Sequence, residues 1–473
     1  MQSCLISSTG NPNLESGIVY GGRSGKNWIM KKFLRGIETK VRWSDWKQQY
    51  AEIKTIVTEE QLIGFQKKYL ERLLLHAERN VPYYHGIFDR IGLIKNGRVD
   101  LSRFGRIPML TKEIMRQHGE ELTSRDYTTR KWYYNSGGGS TGEPVRFIQD
   151  YIYKKWGEAA FYYWYKDIVG IDEPEVKKVI LWGSERDLFQ GGSGWKSKIH
   201  NWLKNTVHLH SCKMTEQDID RYIKTINSYK PDLIRGYAGS LYELCRYAER
   251  RDMEVYTPQL VVSSAEMLTG EMRAEIEKVL GAKVYDYYGS RETNNIAGEC
   301  REGLMHILAF RNYIEILDNN NQPVKEGEEG RAVVTNLHNY SMPFIRYDIG
   351  DMAVLGPNEC KCGSPLPTLR KITGRITDHF VGEDGALFSG PVLTGTLNLK
   401  DWVKEFQIIQ EDYKRVRFLI VGNENVNESE KREVEDKIKF LLGQDCQIVW
   451  DFVGEIPKTP QGKYLYIKSL VRR

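Results

Sequence analysis

Residues 232–292 read DLIRGYAGSLYELCRYAERRDMEVYTPQLVVSSAEMLTGEMRAEIEKVLGAKVYDYYGSRE, and their reading decides the fold. Short apolar runs (DLIRGYA, QLVVSSAE, AKVYDYYG) alternate with amphipathic stretches (SLYELCRYAERR, EMRAEIEKVLG). KKVILWG and DIDRYIKTINSY extend the same alternation upstream. Strand-helix alternation of this kind predicts an α/β domain with a largely parallel sheet, whose ligands gather where strands end and loops begin. Downstream, YIEILDNNNQPVKEGEEGRAVVTNLHN reads as strand, polar turn, strand, a smaller β-rich part. Upstream, Leu62, Phe65, Tyr69, Leu70 and Leu73 recur at helical spacing in a segment that stops near Asn80, before Pro82. Beyond residue 400, EFQIIQED, RVRFLIVG, NESEKREVEDKIKFLLG and CQIVWDFV read as strand, strand, helix, strand, a small α+β unit with its own core. A boundary falls in KITGRITDHF, residues 371–380.

A chain of 473 residues, 40% hydrophobic and 28% charged, has the composition of a globular protein too long for one ordinary domain. The excess of 68 Lys and Arg over 63 Asp and Glu is too small and dispersed to be a nucleic-acid or membrane footprint. No run approaches the ~18 apolar residues of a membrane span, and MQSCLISSTGNPNLESG lacks the pattern of a signal peptide. The expectation is a cytoplasmic protein without membrane insertion, with residues 1–26 a loose leader. Seven cysteines, odd in number and unevenly spread, argue against a disulfide framework. Cys300, His306, Cys360 and Cys362 form a Cys-x5-His plus Cys-x-Cys set that would complete the tetrahedral shell of structural zinc. The spacing is looser than that of a zinc ribbon, and four unrelated residues remain the alternative.

GGGSTGEP, residues 137–144, raises a separate question. Gly137 and Gly142 have the spacing of a phosphate-cradling P-loop, yet Glu143 and Pro144 stand where that loop needs Lys and then Ser or Thr. Either the loop holds no phosphate, or the positive charge comes from elsewhere. IPKTPQGKYLYIKS, near the C-terminus, is a turn-rich loop in which Lys463 follows Gly462.

GGGSTGEP, YDYYGSRE, RYDIGD, ITGRITD and PKTPQGK, in this order, resemble the successive signature segments of the adenylate-forming superfamily of acyl-CoA synthetases, luciferases and adenylation domains. NVPYYHGIF, IPMLTKEIM and the Cys-His set narrow the resemblance to the phenylacetate-CoA ligase family and its CapK-like branch, over roughly residues 60–470. The resemblance implies a large multi-sheet α/β N-terminal domain (1–374) that binds nucleotide and acyl group, and a small mobile α+β C-terminal domain (375–473). It also implies that Gly138, Gly139, Ser140, Thr141 and Gly142 flank the ATP phosphates, while Lys463 supplies the missing cation. The chemistry suits the assignment: glycines permit close backbone approach, hydroxyls donate, and an ammonium stabilises charge developing at the α-phosphate.

By the same resemblance Asp286 accepts the adenine amino hydrogen, Tyr288 stacks on adenine beside Gly289, and Glu292 binds Mg²⁺. Asp351 holds the ribose hydroxyls, Arg375 neighbours the nucleotide, and Ala265 and Glu266 border adenine. Arg291 departs from the family's usual Thr and can either grip phosphate bidentately or crowd the site; Thr377 stands at the usual hinge carboxylate position, with Asp378 next. The implied cofactors are ATP, Mg²⁺, structural Zn²⁺ and CoA. The implied reaction is adenylation of an aryl or arylacetic acid followed by thioester formation. A second reading passes the acyl group to an amine or hydroxyl during surface-polysaccharide assembly; a third is an inactive, zinc-stapled nucleotide-binding homologue. The expected partners are a small carboxylic acid with CoA or another acceptor, and no nucleic acid; a homodimer is left open. The aromatic cluster of Trp156, Phe161, Tyr162, Tyr163 and Trp164 reads as core, and Tyr237 as a pocket-lining strand end.

Overall fold

A computed structural model describes residues 45–137, 145–182, 201–211, 214–375, 379–383, 387–389, 397, 400, 402–422, 426–456 and 466–471. Within them the strand-helix alternation becomes the parallel half of an eleven-stranded sheet. From one edge inward run Thr206–Leu209, Lys178–Leu181, Leu233–Tyr237, Leu260–Ser264 and Val284–Ser290, each parallel to its neighbour. Asn294–Glu299 then folds back antiparallel, followed by Met305–Ile307, Thr368–Arg375, Tyr347–Leu355, Glu329–Asn336 and Asn312–Leu317. The β-rich part is thus continuous with the parallel block rather than a separate sheet. The three-residue strand Met305–Ile307 joins the two halves.

Alternation along the parallel strands sorts their side chains into two cores. Ile234, Val261 and Val284 face the helices Glu216–Tyr229, Ala238–Arg250 and Gly270–Leu280, meeting Ile223, Leu241 and Ile276. Leu233, Val262, Tyr285 and Tyr287 belong to the opposite core, which holds Trp156 and Ala160 of the helix Tyr151–Tyr163. That core also takes the apolar stripe of the helix Glu59–Asn80, which begins at a Thr58–Gln61 capping box. The helix ends at Asn80, with Pro82 opening the next one. The aromatic cluster read as core is core: Trp156, Tyr162, Tyr163 and Trp164 are buried.

Near the C-terminus, Gln447–Phe452, Arg415–Gly422, Val403–Asp412 and Ile467–Ser469 form a four-stranded sheet with its own core, in which Phe406, Ile408 and Phe418 meet Val434 and Ile438 of the helix Glu428–Leu442. The sequence reading found three of these strands. The last, Ile467–Ser469, lies in what read only as a turn-rich loop, and pairs in parallel with Ile408–Gln410.

Candidate active site and metal centre

The carboxyl ends of the parallel strands bring several sequence-predicted residues together. Leu260–Ser264 ends at Ala265, whose φ of 69° is strained for a residue bearing a Cβ. The bend turns Glu266 toward the start of the helix Ala238–Arg250, where its Oε2 accepts the Gly239 N–H at 2.9 Å. A carboxylate at a helix N-terminus meets the positive end of the helix dipole. In the next strand the Tyr288 hydroxyl donates to Asp351 Oδ2 at 2.6 Å, so the expected adenine-stacking and ribose-binding residues touch. Asp351 is buried and pairs in register with Arg375, whose side chain lies outside the described residues. Gly289 permits the turn that follows, because a Cβ there would collide with the Asn294 carbonyl oxygen.

Asp286 sits deeper on the same strand. Burial, reinforced by the nearby Glu299 carboxylate and only partly offset by Arg273, pushes its carboxyl up to about 7. Its Oδ1 accepts the Tyr287 N–H at 2.9 Å. Its own N–H donates to Glu299 Oε2 at 2.8 Å, and the same oxygen accepts from Arg273 Nη2 at 2.8 Å.

Glu292 is held from several sides. The Gln149 side-chain amide donates to its carbonyl at 3.0 Å, and Lys112 Nζ lies 3.6 Å from its Oε1. Gly137 ends the first strand of an antiparallel hairpin, Trp132–Gly137 paired with Val145–Asp150, and closes the approach from that side, since a Cβ there would strike the Glu292 carboxylate. The carboxylate is buried, while Arg291 beside it is exposed. Lys112 was not singled out by its sequence, although it stands within IPMLTKEIM. Its position depends on pairing: Leu110 bridges Tyr347 of the RYDIGD segment, and buried Arg346 donates to the Ile107 carbonyl at 2.7 Å. Lys112 then opens a short helix capped by Thr111. A lone lysine carries no sequence signal for such a contact.

Cys300, His306, Cys360 and Cys362 converge, with one ligand atom from each lying within 4.8 Å of all the others. Cys300 and Cys360 sulfurs are 3.7 Å apart, close to the ~3.8 Å edge of a tetrahedron with Zn–S bonds of about 2.3 Å. His306 Nε2 is 3.1 Å from Cys362 Sγ, while Nδ1 faces the Leu366 carbonyl at 3.1 Å. That second contact leaves Nε2 as the ligating nitrogen. Burial and the neighbouring thiols push the Cys362 thiol up to about 12 without a metal. Two turns shape the loops: the Gly303 N–H returns to the Cys300 carbonyl, and the Gly363 N–H to that of Cys360, each at 3.0 Å. Three thiols and an imidazole suit zinc and leave no open position for substrate.

Gly138, Gly139, Ser140, Thr141, Gly142, Thr377, Asp378 and Lys463 lie outside the described residues. No helix of the described residues is long and apolar enough to cross a membrane.

Comparison with known proteins bears on both parts of the chain. Residues 380–470 match the CapK C-terminal domain family. Protein CapK of Staphylococcus aureus is 23% identical over 425 residues, covering 88% of this chain and 91% of that protein. The phenylacetate-coenzyme A ligase of Thermus thermophilus is 26% identical over 455 residues, covering 87% of this chain and 97% of the ligase. A crystal structure of 2-hydroxyisobutyryl-CoA ligase in the postadenylation state, with R3-HIB-AMP bound, superposes with a TM-score of 0.66 at 18% identity over 88% of this chain and 90% of that one. The C-terminal match, the relatives along most of the chain and the shared fold make this chain similar to CapK and the phenylacetate-coenzyme A ligases and support an acid-CoA ligase-like adenylate-forming enzyme.

Proposed function

We propose that the protein activates a carboxylic acid with ATP and Mg²⁺ and then transfers the acyl group to CoA. A carboxylate is a poor electrophile because oxide is a hopeless leaving group. Attack of its oxygen on the α-phosphate expels pyrophosphate and gives an acyl-adenylate; attack of the CoA thiol on the acyl carbon then expels AMP. The observation that carries this reading is the contact of Tyr288 with Asp351, with Asp286 on the same strand and Glu292 in the turn beyond it. A π face, acceptor carboxylates for an amino group and a ribose, and a hard oxygen for Mg²⁺ are what an adenosine phosphate requires.

In this reading Gly138 to Gly142 cradle the phosphates, Ala265 and Glu266 border the adenine, and Arg291 and Arg375 attend the phosphate and nucleotide edge. Lys463 brings its ammonium from a mobile C-terminal unit, residues 375–473, which can leave after the first half-reaction. Cys300, His306, Cys360 and Cys362 hold a structural zinc. The acid is of the aryl or arylacetic class.

The match to the CapK C-terminal domain supports keeping a second reading, in which an amine or hydroxyl replaces CoA as acceptor. Carboxylate-dependent pyrophosphate exchange, run with and without CoA over a panel of acids, tests both. Exchange with thioester formed is expected; exchange without thioester favours the second acceptor class. ATP binding without exchange from any acid overturns adenylation. Lys463→Ala is expected to block exchange while sparing ATP binding, and full exchange in that variant refutes its role.

A further inference from the structure

Among the described residues, the guanidinium groups of Arg235 and Arg311 have no carboxylate partner. Arg235 projects from the middle of the strand Leu233–Tyr237 into an aromatic box, its Cζ 5.0 Å from the Phe161 ring centroid, 5.2 Å from Trp182 and 6.0 Å from Tyr287. Its Nε is buried and accepted by nothing. Arg311 is 1% exposed, stacked 3.6 Å over the Tyr153 ring, with both Nε and Nη2 buried and unpartnered. It occupies space that Gly157 leaves open, since a Cβ there would collide with the guanidinium. The Tyr287 hydroxyl, also buried, is unpartnered as well. Among the described residues neither arginine forms an ion pair.

Buried charges and donors left without acceptors are costly, and a folded chain retains them where a ligand completes them. Cation–π contacts recover only part of the lost hydration. Arg235 is half-buried, as are Phe161 and Trp182, so this side of the sheet keeps some exposure to solvent. Its place along the strand gives it a length. Tyr237 pairs with Ser264 at the carboxyl end of the sheet and Arg235 with Val262, one side-chain repeat deeper. Two residues of strand span ~6.6 Å. An acid whose reacting carboxylate lies at the strand ends would therefore meet Arg235 roughly one aromatic ring further in.

We propose that the substrate is a flat dianionic acid, such as an aromatic dicarboxylate, whose second anionic group is received by Arg235 between aromatic walls. This rests on the adenylation reading only for the fate of the first carboxylate; the recess binds with or without chemistry.

Titration calorimetry of the full chain with 4-carboxyphenylacetate against phenylacetate tests it. The dianionic acid is expected to bind at least ~10-fold more tightly, because only it pairs with the Arg235 guanidinium. Arg235→Gln is expected to erase most of that difference and change phenylacetate affinity less than ~3-fold. Equal affinity in the native protein, or an undiminished preference in a folded Arg235→Gln variant, overturns the proposal. The first comparison needs no variant, so a misfolded substitution offers no refuge. Pyrophosphate exchange separates the two readings. Exchange with phenylacetate but not the dianionic acid overturns this inference and keeps adenylation. Tighter binding of the dianion without exchange from either acid keeps the recess and overturns adenylation.

Discussion

Asp286→Asn should stabilise the protein at neutral and alkaline pH and not at acid pH. The Asp286 carboxyl is raised from 3.8 to about 7, chiefly by burial and then by Glu299. Between those values the folded state holds a proton that the unfolded chain releases, so stability falls as pH rises through the window and levels off above 7. A rise of about three pH units, at about 1.4 kcal/mol for each, sets a ceiling of about 4 kcal/mol. Asp286 as a residue is only half-buried, and solvent screening reduces the effect to about 2 kcal/mol. Asparagine does not titrate, and its oxygen can still accept the Tyr287 N–H. The two proteins should therefore match near pH 4 and diverge to the full difference above pH 7, as read from urea midpoints across that range. The same substitution turns an amide NH₂ toward the site, so affinity for adenine nucleotides should fall while stability rises. Parallel stability-pH curves for the two proteins would refute the reasoning.

Tyr288→Phe removes a charge-assisted hydrogen bond to Asp351 but keeps the ring; it should cost the free protein about 1–3 kcal/mol while enlarging the stabilisation given by AMP, measured by thermal shift. Gly137→Ala forces the Glu292 carboxylate aside at a cost of about 1–3 kcal/mol in stability, and should raise the Mg²⁺ concentration needed for half-maximal exchange. Metal analysis should find one zinc per chain bound to the cluster of four residues, and Cys360→Ser with Cys362→Ser should abolish it and lower Tm. Sub-stoichiometric zinc, or an unchanged Tm in that double variant, would rule the staple out.

Much of the fold was legible because burial imposes a period on sequence. Leu62, Phe65, Leu70 and Leu73 mark a helix that the structure bounds at Glu59 and Asn80, and the apolar runs about Ile234, Val261 and Val284 mark parallel strands. Met305–Ile307 and Ile467–Ser469 were not legible, since three residues are too few to show alternation. What they do depends on partners distant in sequence. The same distinction divides the site. Asp286, Tyr288, Glu292 and Asp351 stand in motifs whose order carried the resemblance. Lys112 and Gly137 matter through a contact made only when Leu110 pairs beside Tyr347 and the hairpin closes over Glu292. Arg235 is hidden differently, as one charged residue in an apolar run whose neighbours suggest only a buried strand.

The place of the Cys-His cluster would give a metal staple there a bearing on chemistry. Cys300 directly follows Glu299, and Glu299 receives both the Asp286 N–H and Arg273. His306 lies in the short strand that joins the two halves of the sheet, and Cys360 and Cys362 precede the strand Thr368–Arg375 on its other side. An ion bound by all four residues would fix both neighbours of that three-residue strand at once, where backbone pairing alone offers few hydrogen bonds. It would hold the turn after Glu299, and through Glu299 the environment that sets the Asp286 charge, while Thr368–Arg375 carries Arg375 into register with Asp351. A site with no open position for substrate could in this way act on the proposed nucleotide site through the sheet, so removal of a bound metal should weaken nucleotide binding before it unfolds the chain.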